Sequence, residues 1–184
     1  MHSKRFISFI LLILIGKTLG AATPWPTRLD YGDHGLVLTG QGEARYLIWH
    51  VYDAALYLPA ETDEKHVLDE DTPRCLVLRY GREISAEDIR TAADKILDRQ
   101  ADPPTLTRLA PAIETIHRAY RDVAPGDHYR LCHAPGLGTR LYFNDELQAE
   151  ITLPGFARVY FGIWLGPDEP ISESLRQSLL TKRG

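Results

Sequence analysis

The chain of 184 residues has only two cysteines, one methionine and no run of basic residues. Cys75 and Cys132 form no Cys-x-x-Cys pair, which excludes the common structural zinc modules. A net charge of −4 without a cationic cluster argues against nucleic acid as a partner. No Gly-x-Ser-x-Gly elbow occurs, so the serine-hydrolase architecture fails at its first requirement. No glycine-rich phosphate loop ends in Lys-Ser or Lys-Thr. Gly40-Gln41-Gly42 lacks a third glycine and opens no helix, so it is not a dinucleotide fingerprint. His128, Cys132 and His133 are the one close set of metal-ligand types, and strand alternation puts His133 on the opposite face from the other two. No metal and no cofactor is expected.

Long apolar runs are also scarce. The stretch Phe6 to Ile15 is about ten residues, half of the roughly 20 that span a bilayer. Lys4 and Arg5 precede it and Gly20-Ala21-Ala22 follows, which is the order of a secretory signal peptide. Residues 1–22 are therefore expected to be a leader, and residues 23–184 one domain, exported to the periplasm or secreted. An uncleaved membrane anchor is the alternative. No cysteine stands near the cleavage point, which argues against lipoprotein processing. Loss of Lys4, Arg5 and Lys17 leaves the remainder three units more negative than the whole chain. Export permits a disulfide. Cys75 and Cys132 each lie in a strand-like run, and the residues leave open a bridge or two buried thiols.

The remaining pattern alternates strands and helices in blocks. Thr23 to Asp33 reads as a lead-in segment. Gly35 to Pro59 is strand-like, and within it Arg45 to Leu58 is rich in Tyr, Ile, Trp and Val, which predicts one long strand or two bent at a bulge. A charged loop, Ala60 to Pro73, precedes a strand at Arg74 to Tyr80. Ser85 caps a helix to Gln100, with Ile89, Ala92, Ala93, Ile96 and Leu97 at helical spacing. Leu106, Leu109, Ile113, Ile116 and Tyr120 form a second stripe that Pro111 either kinks or restarts. Three short strands follow, Tyr129 to His133, Thr139 to Phe143 and Leu147 to Thr152, joined by good turn residues. Phe156 to Leu165 is apolar almost all round, which predicts a buried helix, and Ser172 to Leu180 a last one. Strands, helices, strands, helices argue for an α+β fold.

Several pieces fall in a distinctive order. Gly40-Gln41-Gly42-Glu43-Ala44-Arg45 precedes Val51-Tyr52-Asp53-Ala54-Ala55-Leu56-Tyr57-Leu58. Gly126-Asp127, Pro135-Gly136-Leu137-Gly138-Thr139 and Phe156 to Gly166 come later. Together they resemble the chalcone isomerase-like proteins, in particular the bacterial periplasmic branch, over roughly residues 33 to 181. The resemblance implies an open-faced β-sandwich: a large antiparallel sheet with a helical layer on one face and a ligand cleft between them. In the plant enzymes that cleft holds a chalcone during ring closure. In relatives without that activity it holds a fatty acid.

The family's ligand-contacting arginine reads here as Arg45, with Tyr52 at the place of a threonine that follows it. A guanidinium suits a carboxylate ligand or a developing oxyanion equally. Tyr52 and Tyr57, five apart, face opposite sides of a strand. On a regular strand Arg45 would end an apolar stripe of Leu47, Trp49 and Val51, so Arg45, Trp49 and Tyr52 are the expected ligand contacts. The helix Ser85 to Ala92 departs from the enzymes: it offers no Tyr and no Asn, and an acid near the place of their Lys. The expected function is a non-catalytic binder of a small amphipathic acid such as a fatty acid. An isomerase or lyase on an enone-like substrate, and an interaction protein with a filled cleft, are the alternatives. The leader makes the first test: N-terminal sequencing of the exported protein should start near Thr23, and a chain starting at Met1 would contradict it.

Overall fold

The computed structural model describes residues 25–181, so the leader expected at residues 1–22 lies outside the described residues. Seven strands form one antiparallel sheet in sequence order: β1 (Arg28–Tyr31), β2 (His34–Tyr46), β3 (Trp49–Leu58), β4 (Arg74–Tyr80), β5 (His128–Ala134), β6 (Gly138–Phe143) and β7 (Glu146–Ile151). Helices α1 (Ala86–Gln100) and α2 (Pro103–Ala119) lie between β4 and β5. Helices α3 (Phe156–Leu165) and α4 (Glu173–Leu180) follow β7. Among the described residues no helix is long and apolar enough to cross a membrane.

Side-chain alternation divides the sheet into two faces. Tyr52, Ala54 and Leu56 of β3, Leu76, Leu78 and Tyr80 of β4, and Leu131 of β5 point to the helices and join Ile96, Ile116, Phe161 and Trp164 in the main core. Ala55, Tyr57, Cys75, Val77 and Cys132 point the other way and pack with Tyr31 and Leu36. Cys75 and Cys132 are register partners on β4 and β5 and are joined by a disulfide on this second face. The helix ends follow local chemistry. Ser85 Oγ accepts from Asp88 N at 3.1 Å, Asp102 caps α2 through Thr105 N at 2.8 Å, and Ser172 caps α4.

Three expectations need correction. The lead-in segment contains a strand, β1, paired along its length with β2. Of the two alternatives for Pro111 the new helix is corrected: the residue lies within α2, which continues through it from Pro103 to Ala119. It removes one hydrogen bond to the carbonyl of Thr107, and both residues are exposed, so water can take that carbonyl. The third correction matters most. The run from Arg45 to Leu58 is not one strand: the chain reverses at Leu47-Ile48, pairing Tyr46 with Trp49 and Arg45 with His50. Leu47 adopts φ 55°, a left-handed conformation for which nothing in its side chain signals a turn.

Gly40-Gln41-Gly42 acquires a structural reason. These glycines lie beneath α4, whose Leu175 and Leu179 enter the core. A Cβ on Gly40 would collide with the carbonyl oxygens of Ser178 and Leu179, and one on Gly42 would come within 2.9 Å of Leu175 and Ser178 side chains. The glycines let a helix backbone rest on a strand. Gly40→Ala should therefore displace α4 and cost about 1–3 kcal/mol, the usual range for overpacking a tight site. A urea midpoint equal to that of the wild type would show that α4 yields without cost.

Candidate functional site

Between the sheet and the helices the side chains nearly meet. What remains is a cavity of about 20 Å³ bounded by Leu76, Leu78, Leu131, Leu141 and Ile89, together with Tyr80, Tyr120, Tyr129 and Trp164. That is room for about one water molecule. Strand parity explains the lining, since even-numbered residues of β4 and odd-numbered residues of β5 face the helices.

Polar groups in this region satisfy one another. Trp164 Nε1 donates to the Tyr52 hydroxyl at 3.0 Å, tying α3 to β3. The hydroxyls of Tyr120 and Tyr160 share a hydrogen bond of 2.8 Å. The Tyr129 hydroxyl accepts from the backbone N–H of Arg121 at 2.7 Å and donates to its carbonyl at 3.2 Å. Tyr80 meets Tyr52 and Tyr129 edge to face, at 5.6 and 6.1 Å between ring centres. Burial pushes the phenols of Tyr52, Tyr80, Tyr120 and Tyr160 well above the ordinary tyrosine value. The cleft thus holds neutral hydroxyls and apolar walls.

The expected ligand contacts do not assemble there. Tyr52 is buried on the cleft side, as alternation requires, but its hydroxyl is taken by Trp164. Tyr57 is on the opposite face. The placement of Arg45 and Trp49 in the cleft is corrected: both are exposed near the end of the β2–β3 hairpin. Arg45 lies along Glu43, with Nε at 2.6 Å from Oε1 and Nη2 at 3.2 Å from Oε2. The reason is the reversal at Leu47-Ile48, which ends the strand that would have carried the stripe inward.

Metal ligation finds little support. Cys132 is consumed by its disulfide, and His133 is bonded through Nδ1 to Thr139 Oγ1 and through Nε2 to the Glu70 carbonyl. Glu43, His50 and Asp53 bring ligand atoms within 4.8 Å of one another. Arg45 covers both Glu43 oxygens, and His50 Nε2 lies 2.9 Å from Asp53 Oδ1, so these ligand atoms already have partners within the protein. A second concavity, about 490 Å³ and open to solvent, runs along the outer side of α1 and α2 between Leu97, Leu106 and Ile113, with a charged rim of Arg90, Asp94, Asp98 and Glu114.

One residue that sequence reasoning missed stands out. Arg74 opens β4 and is wholly buried. Its Nη1 donates to the carbonyls of Asp69 and Thr72 at 2.7 and 2.8 Å, and its guanidinium lies 4.7 Å over the Phe161 ring. Its Nε and Nη2 have no hydrogen-bond partner. Among the described residues no carboxylate lies within ion-pair distance of it. Burial pulls its pKa down to about 10, against the opposing pull of Glu70 and Asp69, and it remains a cation at neutral pH. Arg74 shares the cleft face with Leu76, Leu78 and Tyr80. The signal was available: an arginine at even spacing ahead of that apolar set.

A curled antiparallel sheet with helices on one face and a cleft between them defines an α+β protein of the open-faced sandwich kind. The chain belongs to the chalcone isomerase-like family, whose model matches residues 20–181. Among solved structures it is similar to the Arabidopsis thaliana fatty-acid binding protein, with a TM-score of 0.67 and 12% identity over 85% of this chain and 90% of that one. At that identity the likeness establishes the fold. No curated protein matches the sequence.

The tyrosine cluster makes a pH prediction. An unfolded tyrosine ionises near pH 10, whereas these four stay protonated in the fold. The folded state then binds more protons above pH 10, and stability falls as pH rises. Each contributes a loss of about 1 kcal/mol between pH 10 and 11. Tyr31 and Tyr57, raised to about 12 by burial, act in the same direction, and Arg74, lowered in the fold, opposes them. Tyrosinate absorbance of these groups should therefore rise together with loss of circular dichroism. Full ionisation of all nine tyrosines with the fold intact would contradict their burial.

Proposed function

We propose that this protein is an exported, non-catalytic binder of a small amphipathic acid, acting in the periplasm or outside the cell. Arg74 carries the reading. A buried guanidinium with two unpartnered nitrogens, at the end of a face formed by Leu76, Leu78 and Tyr80, has the layout that a carboxylate with an apolar tail requires. A fatty-acid binding protein has the same fold, which supports a fatty acid as the ligand class. The N-terminal segment supports export.

Catalysis has less support. Acid–base chemistry needs a group that changes protonation near the working pH. The cleft tyrosines are held neutral far above it, and helix α1 supplies no Tyr, Lys or Asn at its first turn. The ligand must open the cleft, because about 20 Å³ is far below the several hundred that a lipid tail occupies. Ile89 on α1 and the Trp164 indole are the side chains that must move.

The closed cavity favours a second reading, an interaction protein whose cleft is filled by its own side chains. Titration of delipidated protein with a fluorescent fatty acid separates the two. The wild type should bind. Arg74→Met should weaken binding at least roughly tenfold, the worth of one charged hydrogen bond, without loss of fold. Leu78→Trp should block the cleft, and Arg45→Ala should bind as the wild type does. A wild type that binds nothing would overturn the carrier reading in favour of the filled cleft.

A further inference from the structure

The β2–β3 hairpin ends in four consecutive apolar or aromatic residues, all in solvent. Tyr46 is 70% exposed, Leu47 80%, Ile48 78% and Trp49 58%. Elsewhere among the described residues the exposed large hydrophobics are single, Leu147 and Leu153. A two-residue hairpin turn ordinarily carries Asn, Asp or Gly, which tolerate positive φ. This protein uses that chemistry at its other two-residue hairpins, Gly32-Asp33 between β1 and β2 with Gly32 at φ 57°, and Asn144-Asp145 between β6 and β7 at φ 47° and 67°. At the β2–β3 tip it instead places a leucine at φ 55° beside a β-branched isoleucine. Both the conformation and the exposure cost stability, and neither serves the core.

We propose that this tip is a lipid-bilayer anchor, which inserts into the boundary between headgroups and acyl chains. The hairpin register is layered as that boundary is. Leu47 and Ile48 form the apex. Behind them Tyr46 pairs with Trp49, the two aromatic types that favour a membrane interface. Behind those, Arg45 pairs with His50, and the Arg82 guanidinium lies 5.7 Å from the Trp49 ring centre, at the depth where phosphates would be. Two residues of strand span about 7 Å, in keeping with the roughly 5–10 Å to which interfacial segments bury their apolar face.

The shape argues for lipid over a protein partner. A stable protein interface takes about 800 Å² from each side, whereas a convex tip of four side chains offers far less. The strand surfaces just behind it carry Glu43 paired with Arg45, and Asp53 hydrogen-bonded to His50, so they present no cluster of like charges to steer a charged partner. Insertion is thus driven by apolar surface and should depend weakly on salt. The proposal does not rest on the contents of the cleft.

Flotation of the soluble protein with phosphatidylcholine vesicles tests it, read beside quenching of tryptophan fluorescence by brominated lipid. The wild type should float and Trp49 should be quenched, with Trp49→Phe losing the quenching. The double variant Leu47→Asn with Ile48→Gly installs a favoured turn, so the fold should hold or gain in melting temperature. Its partitioning should fall at least roughly tenfold with the loss of two apolar side chains. A wild type that does not float, or a double variant that floats and is quenched equally, would overturn the proposal. Self-association seen by sedimentation, lost in the double variant and without flotation, would overturn it too and assign the tip to a second copy of the chain.

Discussion

The hydrogen bond from the Trp164 indole to the Tyr52 hydroxyl sets the geometry of the molecule's interior. It joins the most apolar helix to β3, where two bulky amphipathic rings each bury a polar atom. A buried indole N–H or phenol without a partner would cost about 1–3 kcal/mol. Each therefore fixes the rotamer of the other, and the indole fills the space between sheet and helices. The low cavity volume follows from that pair, as does the edge-to-face chain from Tyr52 through Tyr80 to Tyr129. Any ligand must compete with this contact.

The two faces of the sheet carry different obligations. The back face is closed by a smaller cluster and stapled by Cys75–Cys132, which bridges β4 and β5 across the long insertion of α1 and α2. That staple constrains the unfolded chain at the join where sequence-distant strands must meet. The helix face tolerates a charge. Burying Arg74 without an ionic partner costs several kcal/mol, relieved only in part by two carbonyls and the Phe161 ring. Those two bonds tie the loop carbonyls of Asp69 and Thr72 to the start of β4.

Much of the fold was legible because local patterns and tertiary demands agree. Phe156–Leu165 reads as a buried helix from its composition, and it is one. Ser85 and Ser172 announce caps that form, and Asn144-Asp145 a turn that forms. Pro111 leaves one helix or two open in the sequence; the structure keeps one, at exposed residues where water can take the carbonyl that the proline cannot serve. The site was less legible. Arg45 and Trp49 were placed by extending a strand through Leu47-Ile48, whose side chains speak for strand and against a turn. Arg74 was overlooked although its parity with Leu76 and Leu78 was plain.

The sequence by itself determined the α+β class and the identity and order of nearly all the elements. Those depend on periodicities of about two and 3.6 residues and on caps, which are local. Tertiary structure alone decided that the apolar run after Arg45 reverses, that Gly40 and Gly42 make a seat for α4, that the two cysteines stand opposite each other, and that the cleft is closed. Each of these depends on where a distant segment lies. A glycine reads as permissive until a helix backbone rests on it, and a strand reads as continuous until its partner fixes where it must turn back.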